Sequence, residues 1–96
     1  MISKLKQALY YQAISRYGMD SQYLQLAEEF GELLSALHKF KKMKIDREDV
    51  LSEIADAKIM LEQMIFMIGF TEEELENMEA AKLQKLKAYL DAHWTF

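Results

Sequence analysis

No proline occurs anywhere in the chain, and Gly18, Gly31 and Gly69 are its only glycines. Proline removes a backbone donor and clashes with the preceding helical turn, while glycine supplies the left-handed conformations at which helices end. A chain with none of the first and three of the second has few places to stop a helix. Between those places helix formers such as Leu, Glu, Lys, Met, Gln and Ala dominate. The expectation is an all-α protein whose joints fall at the glycines and at short polar clusters.

Apolar periodicity divides the chain into about four helices. The first spans Ile2 to Tyr17, with Leu5, Leu9, Ala13 and Tyr17 recurring every four residues. Gly18 follows as the stop. Asp20 or Ser21 is placed to accept hydrogen bonds from the first free amides of a second helix, which runs to Lys42 or Met43. Its apolar side carries Leu26, Phe30, Leu33, Leu37 and Phe40. Gly31 inside it either permits close approach of another helix or simply costs about 1 kcal/mol relative to alanine. The polar joint from Lys44 to Glu48 offers Asp46 as N-cap of a third helix, with Val50, Ile54, Ala57, Leu61, Met64 and Ile68 at helical spacing and Gly69 at its end. Thr71 followed by Glu74 reads as a capping box for a fourth helix from Glu72 to Ala92. No repeat or linker divides residues 1–96, and short joints favour antiparallel neighbours, so the predicted architecture is one antiparallel helical bundle.

Hydrophobic residues make up 51% of the chain, more than a domain of 96 residues buries alone, so part of that surface is expected to face another copy. The absence of cysteine excludes disulfides and thiolate metal sites and is compatible with a reducing compartment. The first residues do not read as a signal peptide. The most apolar run, Ile59 to Phe70, is interrupted by Glu62 and Gln63 and falls short of a membrane span. A net charge of −4 argues against a general nucleic-acid binder. The reading is a cytoplasmic, self-associating protein that engages neither membrane nor nucleic acid.

Carboxylates carry the chemical signal. The second helix holds Glu28, Glu29 and Glu32, and the third holds Glu53 and Asp56. Residues three or four apart share a helix face, so Glu29 pairs with Glu32 and Glu53 with Asp56. Asp56 stands among Ile54, Ala55, Ala57, Ile59 and Met60, which predicts partial burial. If the two helices are antiparallel neighbours, four or five acids meet in one groove. Two such charges about 4 Å apart repel by about 4 kcal/mol at an effective dielectric of 20. A divalent cation relieves that, and an oxygen-only donor set suits magnesium or manganese. Acids on a helix are more often a solvated face; their pairing on consecutive helices is what weighs against that here. A di-iron site needs Glu-x-x-His pairs, but Ser35 precedes His38 and Leu90 precedes His93 by three residues. Both histidines read as surface or packing residues.

The segment Tyr17-Gly18, Gln22, Glu28-Glu29-x-x-Glu32-Leu33 and, 20 residues on, Glu53-Ile54-Ala55-Asp56 resembles the MazG-like nucleotide pyrophosphohydrolases, whose pattern is EExxE on one helix and ExxD on the next. The basic stretch Lys82-Leu83-Gln84-Lys85-Leu86-Lys87 is similar to the ending of short, phage-type members, and the likeness spans about Tyr17 to Leu90. The resemblance implies an all-α homodimer or homotetramer that hydrolyses nucleoside triphosphates to monophosphate and pyrophosphate. It implies Mg2+, with Mn2+ as a substitute, held by Glu29, Glu32, Glu53 and Asp56. Glu28 would take the proton of, or orient, the water that attacks the α-phosphorus.

The phosphates also call for protein cations. Lys82 lies on the apolar stripe Leu75, Met78, Leu86 and Tyr89 rather than opposite it, and is the first candidate; Lys85 is the second. A lysine in such a stripe also serves simply to cover apolar surface with its stem. Gln22 is a further expected substrate contact. Lys39, Lys41, Lys42 and Lys44 are already accounted for by the dipole at a helix C-terminus. Tyr17, Tyr23, Phe40 and Trp94 are able to stack on a base, although aromatics at helical spacing are more often core. The competing reading is a non-catalytic helical interaction module, in which the carboxylates are merely solvated.

Overall fold

The computed structural model describes residues 2–93, so Trp94 lies outside the described residues. The chain is all-α, with helices α1 (Lys4–Tyr17), α2 (Met19–Lys41), α3 (Arg47–Ile68) and α4 (Glu72–Ala92), of which α1, α2 and α3 pack together as a bundle. The Ser3 hydroxyl accepts from the Lys6 amide at 3.2 Å and starts α1. Gly18, at φ +83°, closes α1 and opens α2 at once. Neither Asp20 nor Ser21 caps α2, because the turn is shorter than expected: Asp20 is already inside the first turn, where its charge complements the dipole. At α3 the capping box is reciprocal, with Asp46 accepting from the Asp49 amide (3.1 Å) and Asp49 from the Asp46 amide (3.2 Å). At α4 the Thr71 hydroxyl accepts from the Glu74 amide at 3.1 Å, which is one half of the box expected there. Gly69 ends α3 in the left-handed region at φ +92°. Met43, at φ +59°, performs the same turn after α2 without being glycine.

The closest pair is α2 with α3, lying antiparallel across the short Lys42–Asp46 joint, and α1 packs along both. Their shared core is small: Tyr10, Ala36, Val50, Ala57, Met60 and Met64 are buried. Two polar side chains are buried with them, and Gln63 Nε2 donates to Gln22 Oε1 across the α2–α3 interface. The α1–α3 contact is tied by the Tyr10 hydroxyl, which donates to Glu62 Oε1 at 2.6 Å, by Lys6 bridging the same oxygen at 3.1 Å, and by Tyr10 against Phe66 at 6.2 Å between centroids.

Much of the expected core remains open. Phe30, Leu37 and Phe40 on α2, and Ile54, Leu61 and Ile68 on α3, are exposed, although each belongs to an apolar stripe. In α3 the set Val50, Ala57 and Met64 is buried while the parallel set Ile54, Leu61 and Ile68 is not. A helix that is apolar on two sides needs cover on both. Among the described residues α4 packs on none of the other helices and buries no residue. The radius of gyration, 16.8 Å, accordingly exceeds the about 12.5 Å expected of a compact domain of this length. No helix of the described residues is long and apolar enough to cross a membrane.

Candidate metal centre

The antiparallel register that sets Gln22 on Gln63 brings the acidic turns of α2 and α3 together. Gln22, Gln25, Glu29 and Glu32 follow one another at three- and four-residue steps and so share the α2 face turned to α3. Glu29, Glu53 and Asp56 each offer a carboxylate oxygen, all within 4.8 Å of one another. Gln25 Nε2 donates to Glu29 Oε1 at 2.8 Å and holds that side chain. Glu29 Oε2 and Glu53 Oε2 are buried and have no hydrogen-bond partner.

Glu32 belongs to the same cluster electrostatically. The neighbouring Glu29 charge raises its pKa above the ordinary carboxylate value, and burial, Glu53 and Glu28 push in the same direction. Glu28 therefore sits at the margin of the group, exposed to solvent. Asp56 is exposed rather than partly buried as expected. Its chain neighbours Ile54 and Ile59 are themselves about half exposed, at 44% and 49%. It is Glu29 and Glu53 that are half-buried. Sequence adjacency misleads here because successive residues on a helix diverge by about 100°.

The donor set fits a hard divalent cation. Two unit charges 4.8 Å apart repel by about 3.5 kcal/mol at an effective dielectric of 20, a figure that water on the open side of the groove reduces. Buried carboxylate oxygens normally find a donor, and two of them here have none. The three oxygens would have to draw closer together to share one magnesium ion, whose ligands lie about 2.1 Å from it. No histidine joins it among the described residues. His38 is exposed in the last turn of α2, and His93 stacks on Tyr89 with its Nδ1 2.8 Å from the Tyr89 carbonyl oxygen.

The remaining expected site residues lie elsewhere. Gln22 is buried and hydrogen-bonded to Gln63, two turns from Glu29 along α2. Lys82 and Lys85 are exposed on α4, which packs on neither α2 nor α3, so within one chain they do not line the acidic groove. A groove of about 320 Å³ continues from Glu32 and Glu53 toward the α2–α3 joint, lined by Ser35, Lys39, Asp49 and Ser52. Lys39 is thus the lysine of that groove. The i,i+4 pair Gln25–Glu29 and the step from Glu32 to Lys39 were both present in the sequence; the antiparallel register is what gives them meaning.

No protein-family model, curated protein or solved structure matches this chain.

Proposed function

We propose that this chain is a magnesium-dependent nucleoside triphosphate pyrophosphohydrolase of the MazG-like kind, converting a (d)NTP to (d)NMP and pyrophosphate. The observation that carries the reading is the meeting of Glu29, Glu53 and Asp56 within 4.8 Å, with two buried carboxylate oxygens left unpartnered. Glu29, Glu32, Glu53 and Asp56 are the residues that would hold Mg2+ or Mn2+. When bound, such an ion offsets the clustered negative charge and stabilises charge on phosphate oxygens. Gln25 fixes the Glu29 carboxylate through its 2.8 Å hydrogen bond. Glu28, exposed at the edge of the cluster, takes the proton of the attacking water. The new bond forms from that water to the α-phosphorus, the bridging α–β P–O bond breaks, and pyrophosphate leaves with the electron pair. Attack at the α rather than the γ position is taken from the resemblance of the acidic motifs. Catalysis of this kind rests on positioning and electrostatics more than on covalent chemistry.

Lys39, Ser35 and Ser52, which line the groove leading from Glu32 and Glu53, would serve as phosphate donors. The exposed apolar stripes of α2 and α3 support a homodimer or homotetramer. The test is pyrophosphate release from a panel of ribo- and deoxyribonucleoside triphosphates, with magnesium and with chelator. Magnesium-dependent release that Glu53→Gln and Asp56→Asn each abolish in a folded protein is expected. Undiminished release by either variant would overturn the site, and silence across the panel would favour the non-catalytic interaction module.

A further inference from the structure

α4 is a 21-residue amphipathic helix on which no other helix packs among the described residues, and in proteins most helical stability comes from packing of the apolar face. Its apolar stripe is open: Leu75 is 38% exposed and Leu86 51%. Its charges are segregated along the axis. Every charged residue from Glu72 to Glu79 is acidic, and the lysines follow at Lys82, Lys85 and Lys87. The helix dipole accounts for the acids of the first turn. It does not account for Glu76 and Glu79 further in, nor for lysines that stop short of the last turn, which has no basic residue. Among the described residues Lys82 and Lys85 form no ion pair, and Lys87 is paired only with Asp91 on the surface at 2.7 Å.

We propose that α4 is the seat of a second copy of this chain, the two α4 helices pairing antiparallel with their two-fold axis level with the Ala80–Ala81 peptide. In such an isologous pair the same flank of each helix meets the same flank of its partner. At 100° per residue, this one register satisfies the charges and the stripe together. Lys82 meets the partner's Glu79 near the centre. Lys85 meets the partner's Glu74 on one flank, while Lys87, on the side turned away from the partner, keeps its own pair with Asp91. Leu75 meets the partner's Leu86, twice by symmetry. The acidic half of α4 also forms one side of an open groove of about 560 Å³, lined by Phe66, Phe70, Leu75, Glu62, Glu76 and Glu79. The basic, leucine-bearing half of a partner α4 is complementary to that lining in both charge and polarity. Lysine at position 82 of an otherwise apolar stripe then has a reason: in an antiparallel pair it fixes register.

The chain has no cysteine, so introduced thiols are the only ones present. Leu75→Cys and Leu86→Cys chains, co-expressed and treated with a short bis-maleimide, should give a covalent dimer containing one of each. Either variant alone should give none, because like positions then lie about 16 Å apart along the axis. Adding Glu79→Lys or Lys82→Glu to both chains should lower the initial cross-linking rate roughly fivefold by placing like charges opposite each other. The double exchange Glu79→Lys with Lys82→Glu should restore it. Cross-linking of either cysteine variant with itself, no product from the mixture in a protein that remains helical, or indifference to the single charge reversals would each overturn the proposal.

Discussion

The Tyr10 hydroxyl donates to Glu62 Oε1 at 2.6 Å and joins residues 52 positions apart. Tyr10 is buried, and Lys6 reaches the same oxygen, so one carboxylate gathers the attachment of α1 to α3. The hydrogen bond from Tyr10 is the main reason the Glu62 pKa lies below its ordinary value, with Lys6 assisting and burial opposing. Burial, and then the same bond, raise the Tyr10 pKa well above its ordinary value.

Tyr10→Phe should therefore lower stability by about 1.5–3 kcal/mol at neutral pH, the range for a hydrogen bond to a charged group. A carboxylate with a depressed folded-state pKa contributes stability above its unfolded pKa and loses it as pH falls through the folded one. The difference between wild type and variant should shrink as pH drops below the ordinary carboxylate range. Urea denaturation at neutral and acid pH checks both; an equal difference at the two would remove Glu62 from the account.

In the acidic cluster the sign reverses. Glu32 has a raised pKa, caused first by Glu29, so its contribution is fully present below the unfolded value and lost as pH rises through the folded one. Without divalent metal the protein should gain stability on mild acidification through the carboxylate range, against the trend set by Glu62. Millimolar magnesium should raise the melting temperature at neutral pH by preferential binding to the folded state. Glu53→Gln should leave the metal-free protein at least as stable and cancel the response to magnesium. Melting curves with and without chelator that superimpose for the wild type would count against a metal site.

Gly31 lies within α2, and a Cβ built on it meets nothing within 4 Å. The close helix approach that a glycine here would permit does not occur among the described residues. Gly31→Ala should stabilise by about 1 kcal/mol, the ordinary helix-propensity difference. A loss of stability would instead place another copy against this face.

Gln22 and Gln63 are buried partners. Gln22→Ala should cost about 1–3 kcal/mol, because it leaves the Gln63 amide unsatisfied. Its KM for nucleotide should stay near that of the wild type. A KM effect in a variant of normal stability would return Gln22 to the substrate, as its place in the sequence pattern implied.

Helix composition, the left-handed stops at Gly18 and Gly69, and the caps at Asp46 and Thr71 were legible because each depends on residues within one turn of one another. So was the sharing of a face by Glu29 with Glu32 and by Glu53 with Asp56, which follows from helical spacing alone. The stop at Met43 was not, since a non-glycine residue enters the left-handed region only where the surrounding turn holds it there. Nor was the exposure of Asp56, because the apolar character of chain neighbours says nothing about which side of a helix is covered.

What the sequence determined by itself is local: four helices, where they begin and end, and which acids stand together on each. Only the tertiary structure decided that α2 and α3 meet in the register that joins Glu29 to Glu53 and Asp56, that Gln22 goes to Gln63, and that α4 stands clear with Lys82 and Lys85. Those relations link residues far apart in the chain. They depend on which of several apolar faces is buried first, and a chain with more such faces than its own core can cover does not specify that choice by periodicity alone.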